Sequence, residues 1–108
     1  MPATKIDLSS FMTDTSATLS AALGYISDAG KAEKLAADKA QKVRTPATLG
    51  ASEASSARAI FEGVEAQQDA LVGAGLDPSV VCGKLLNYAT TLAQSAKSRL
   101  IDAASAAS

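Results

Sequence analysis

An all-α fold is predicted, an elongated helical hairpin or three-helix bundle of long Ala-rich amphipathic helices, and three observations predict it. Alanine, the strongest helix former, supplies 24 of the 108 residues. Apolar positions recur at steps of three and four over long stretches, the period of a helix face. Nowhere do β-branched residues alternate with polar ones over enough length between turns to make a strand. The length suits one domain, 1–108, and no internal repeat of solenoid period breaks it up.

Residues 1–6 read as extended or disordered, and Asp7, Ser10 or Asp14 can cap the first helix, read from about 8 to 44. Its stripe holds Leu8, Phe11, Met12, Leu19, Leu23 and Ile26 and continues through Ala22, Ala29, Ala36, Ala40 and Val43. Ser20, Ser27, Lys31, Lys34, Asp38 and Gln41 lie opposite. Gly24 and Gly30 each cost up to about 1 kcal/mol relative to Ala in a helix interior and mark a close contact or a bend. Residues 45–50 are expected to form the first connection, because the residue before Pro46 resists the helical conformation and Gly50 follows soon after.

Ser52 caps the second helix, read from about 52 to 74, with Glu53 well placed for the helix dipole; Thr45 before Pro46 is an alternative, earlier start. Its seam is Ala54, Ala57, Phe61, Val64, Gln68, Leu71 and Gly75, widened by Ile60 and Val72. Gln68 is the polar member, expected at the seam's edge with its amide in water; the alternative is a register-setting contact between helices. In residues 75–79, Gly75 supplies the left-handed conformation that closes a helix, Asp77 caps the next, and Pro78 takes its first position, where a missing N–H costs nothing.

The third helix, read from about 78 to 104, has a broad face of Val81, Cys82, Leu85, Leu86, Ala89, Leu92, Ala93, Ala96, Leu100 and Ala103. Lys84, Asn87, Thr91, Gln94, Ser98 and Asp102 line the other side. The Ala/Ser tail from Ala103 onward is expected to fray. Helices of these lengths reach roughly 36 to 50 Å, so a rod is expected.

The chemistry of the side chains narrows function by exclusion. There is no histidine, the commonest general base and zinc ligand, and the single Cys82 allows neither a disulfide framework nor a thiolate metal site. Cys82 reads as a small apolar residue near a helix start. Glu62 and Glu65 share a helix face, but Arg58 four residues before Glu62 makes an ordinary ion pair the better reading, as do Asp38 and Lys42. Gly83-Lys84 lies within a helix and follows no phosphate-loop order. Tyr25 and Tyr88 are expected to bury their rings and wet their hydroxyls. The chain is therefore expected not to be an enzyme, with no catalytic residue, cofactor or metal.

Ten basic and eleven acidic residues give a net charge of −1, so nucleic acid is not an expected partner. Residues 31–44 net +3 and read as a solvated helix face. Lacking a signal-peptide layout and any bilayer-length apolar run, the chain is expected in the cytoplasm or exported by a signal-peptide-independent route. Ser9, Ser10, Thr13, Thr15, Ser16, Thr18 and Ser20 give its first segment the Ser/Thr-rich look of an uncleaved export signal.

Phe61-Glu62-Gly63-Val64-Glu65 resembles a short string in phasins, amphipathic coats of polyester granules. Ala21-Ala22-Leu23 with Ile26-Ser27-Asp28 is similar to a helix of flagellar rod-type proteins. Neither resemblance assigns a residue a role. Because only 26 apolar residues are larger than Ala or Cys, the core is thin and burial between copies would add to it. The expected function is a non-enzymatic structural protein that self-associates into a homo-oligomer or filament. Its interface is read as Phe61, Val64, Gln68, Leu71, Leu85, Leu86, Ala89, Leu92, Ala93, Ala96 and Leu100. The alternative is a helical adaptor presenting an apolar face to another protein; a third reading, an amphipathic surface coat, is opposed by the lack of a basic band suited to membranes.

Overall fold

The computed structural model describes residues 3–31 and 35–108. The expectations for Met1, Pro2, Glu33 and Lys34 lie outside the described residues. Among the described residues four helices follow in order, α1 (Ser9–Ala29), α2 (Ala37–Gly73), the single turn α3 (Pro78–Val81) and α4 (Gly83–Ala107), and there is no strand. Both α1 and α4 pack along α2 and touch one another only slightly. The all-α elongated bundle measures 59 × 17 × 15 Å. At 1.5 Å per residue, α2 alone spans about 55 Å and sets that length. The radius of gyration, 17.2 Å, exceeds the value of about 13 Å for a compact chain of this size.

Spacing explains why α2 is central. Its buried positions, Ala40, Val43, Ala47, Gly50, Ala54, Ala57, Phe61, Val64 and Gln68, alternate steps of three and four without interruption. In α1 and α4 the main buried line recurs every seventh residue: Leu8, Thr15, Ala22 and Ala29 in one, Cys82, Ala89, Ala96 and Ala103 in the other. One line serves one neighbour, and two lines serve two. Thr15 and Thr18 fit this buried surface because their hydroxyls donate to carbonyls one turn back, Thr15 to Phe11 and Met12, Thr18 to Asp14. Two of the residues that suggested an export segment are thus packing residues.

Small residues bring α2 and α4 close together. A Cβ added at Gly50 would stand 3.1 Å from Arg99 Cβ and 3.3 Å from the Ala96 carbonyl oxygen. Larger side chains gather on either side of this narrow stretch. One cluster joins Leu8, Ala57, Phe61, Val64, Cys82 and Ala89. The other joins Ala29, Ala40, Val43, Ala47 and Ala103, with Tyr25, Ile26 and Leu35 against it. Cys82 is accordingly a buried packing residue, as its position suggested.

The first connection lies elsewhere than expected. The stretch read as one helix from 8 to 44 divides at Gly30, and α2 runs through Pro46 and Gly50. An interior proline costs about 3 kcal/mol. The seam from Ala40 to Ala57 keeps its period across it, and burial against two helices offsets that cost. At the α1 end the Gly30 N–H is shared between the Ile26 and Ser27 carbonyls. The basic stretch is likewise no simple solvated face. Arg44 donates to the Ala29 carbonyl at 3.1 Å and Lys39 to the Ser108 carbonyl at 2.8 Å, so two α2 cations serve the C-terminal ends of α1 and α4. No ion pair joins Asp38 to Lys42, whereas Arg58 pairs with Glu62 at 2.8 Å as expected.

The turn after α2 has the geometry its residues call for. Gly75 takes φ 77°, the Leu76 N–H reaches the Leu71 carbonyl at 2.8 Å and the Gly75 N–H reaches the Val72 carbonyl at 3.0 Å. Asp77 then accepts from the Ser79 N–H and hydroxyl, with Pro78 in the first turn. Asp7 and Ser9 repeat the same device before α1. The helix that follows, expected unbroken, is interrupted at Cys82, with φ −102° and ψ 11°. It runs to Ala107, past the end near 104 read from the sequence, with Ala103 buried and Lys39 donating to the Ser108 carbonyl.

Candidate interaction surface

Most of the expected interface is internal. Phe61, Val64, Gln68, Ala89 and Ala96 are buried within the subunit, and Leu71, Leu86, Leu92, Ala93 and Leu100 are half-buried. Leu85 alone of that set is exposed. The cause is simple: the small residues that suit contact between copies bring α4 onto α2 within the subunit.

Gln68 departs from both readings offered for it. Its side chain is only 1% exposed, with its amide neither in water nor against another helix. The Ile6 N–H donates to Oε1, and Nε2 donates to the Ile6 carbonyl at 3.0 Å and to Glu65 at 3.0 Å. Beside it Lys5 pairs with Asp69, and Leu8 enters the core. The extended N-terminal segment is thus pinned across the end of α2. No signal in the local sequence connects residues 62 apart; only the oddity of a glutamine in a buried seam could have raised the question.

The two flanks of α4 are marked by their ion pairs. Lys97 meets Asp14 of α1 at 2.8 Å, and Arg99 meets Glu53 of α2 at 3.1 Å. Counting back from Arg99 in helical steps gives Leu92, Tyr88 and Leu85, a row on the α2 flank turned away from α1, and Val81 at the end of α3 precedes it. Of these, Val81 (53%), Leu85 (51%) and Tyr88 (57%) are exposed, and Val80 (76%) and Leu76 extend the patch to the turn. Tyr88 therefore does not bury its ring as expected. Beside this row the outer face of α2 carries Thr48, Ser52, Ser55, Ala59, Gly63, Ala66 and Ala70, all exposed and uncharged. Charged side chains border this face: Arg58 pairs with Glu62, Asp69 with Lys5 and Glu53 with Arg99, and Glu65 accepts from Gln68.

Compared with protein-family models, curated proteins and solved structures, the chain matches none. Among the described residues no group of three or more acidic or thiol side chains could hold a metal ion. No helix among them is long and apolar enough to cross a membrane. What the surface offers chemically is an apolar row beside an uncharged face, suited to burial against a surface of the same kind.

Proposed function

We propose that the chain is a non-enzymatic structural protein whose rod-shaped subunits associate with one another through the flank of α2 and α4 turned away from α1. The observation that carries this reading is the exposed row Val81, Leu85 and Tyr88 with Val80 beside it, apolar side chains left uncovered in a subunit whose own core is thin. The uncharged outer face of α2 supports it, because its central residues carry no charge to desolvate. A net charge of −1 opposes self-approach very little.

Sedimentation or light scattering from micromolar to millimolar protein tests it: mass rising with concentration is expected, and a monomer at every concentration refutes it. A second reading draws on the same exposed row, a helical module that offers it to a different protein. A strictly monomeric chain that still binds a hydrophobic dye in its folded state would favour that reading over self-association.

A further inference from the structure

We propose that α4 pairs with α4 of a second copy, antiparallel, about a two-fold axis passing between Thr91 and Ser95. This rests on the self-association reading and gives it a geometry. Lys84, Tyr88, Thr91, Ser95, Ser98 and Asp102 follow at alternating steps of four and three, the spacing on which a second helix seats. Ser95 is half-buried and the other five are exposed. The two ends of this stripe carry opposite charges. Eighteen residues are five helical turns, so Lys84 and Asp102 stand on one line about 27 Å apart.

The remaining charges of α4, Lys97 and Arg99, are both committed to neighbouring helices, whereas neither Lys84 nor Asp102 has an ion-pair partner among the described residues. Turning a second copy end for end brings position 84 opposite 102, 88 opposite 98 and 91 opposite 95, because each pair is centred on residue 93. The axis repeats each contact, as an isologous interface requires. Both unpaired charges are then matched twice. A parallel arrangement would set lysine against lysine and aspartate against aspartate. Leu85 lies between the stripe and α2, where the incoming helix would cover it. A footprint of about 27 by 10 Å is well below the ~800 Å² per partner of a stable interface, so the pair is weak and dissociates on dilution.

Charge reversal tests this on the full chain. Lys84→Asp makes both ends of the stripe acidic, and Asp102→Lys makes both basic; the two sites are exposed, so folding is unaffected by circular dichroism. By sedimentation equilibrium at low salt, each variant alone is expected to associate roughly 4- to 30-fold more weakly than the unmodified chain, two exposed pairs having changed from attraction to repulsion. An equal mixture of the two is expected to associate at least as tightly as the unmodified chain, because each acidic end now faces a basic one. The differences should shrink toward molar salt. Variants that self-associate as tightly as the unmodified chain, or a mixture no tighter than either alone, would overturn this pairing and leave self-association standing. An unmodified chain that is monomeric throughout removes both.

Discussion

Gln68 ties the N-terminal segment to the bundle by main-chain recognition, and its replacement should be felt at both ends of that contact. In Gln68→Leu the Ile6 N–H and carbonyl lose their partners, a loss on the order of 1–3 kcal/mol in chemical denaturation. Hydrogen exchange at the Ile6 amide should accelerate with it; unchanged exchange would mean that the amide contact does not hold the segment. Two nearby groups give this region a pH dependence. The Asp7 carboxyl is held below its ordinary value of 3.8 by the Ser9 hydroxyl and then the Ser9 N–H. Its contribution is present above that value and is lost as pH falls through the lower folded one. Lys5 is raised above 10.5, first by its hydrogen bond to Asp69 and then by the Asp69 charge. That contribution is present below 10.5 and is lost as pH rises through the folded value. The Ile6 methyl resonances should therefore shift at both extremes of pH, while those of Val43 at the far end of the rod stay constant until global unfolding.

At the scale of elements, helix type and the turn after α2 were legible because each depends on neighbours in sequence. Gly75, Asp77 and Pro78 dictate a local geometry that needs no tertiary help. The first connection was misplaced because Pro46 and Gly50 are strong local breakers, while the competing force, burial of α2 on two sides, is non-local. A signal was nevertheless present in the unbroken steps from Ala40 through Ala47 and Ala54 to Phe61. Pro46→Ala should then raise stability by about 1–3 kcal/mol, less than the full helix penalty because the freer unfolded chain offsets part of it. A drop instead would show that the proline makes a contact the helix needs. Ala96→Leu places a large side chain where the residue is fully buried and should cost about 1–3 kcal/mol by overpacking, read from the denaturation midpoint. The candidate surface was less legible than the helices: the broad apolar face of α4 was plain, but which part of it faces α2 depends on where Arg99 and Lys97 find their partners.

For the whole molecule, a two-fold pairing along α4 is self-limiting, since each copy uses the same face and the contact closes on itself. A filament would need a second contact, and the outer face of α2 is the uncharged surface left for it. The expected progression is monomer to dimer first, with longer species appearing only at higher concentration. The division of the core into two clusters has a consequence for how the rod unfolds. Between them the helices meet through Ala22, Gly50, Ala54 and Ala96, which bury little surface and transmit little energy from one end to the other. Cooperativity across that stretch should be incomplete. The end held by Val43 and a ring of alanines should melt before the end held by Phe61, Val64 and Leu8. Calorimetry would register this as a transition broader than a two-state process of the same enthalpy allows.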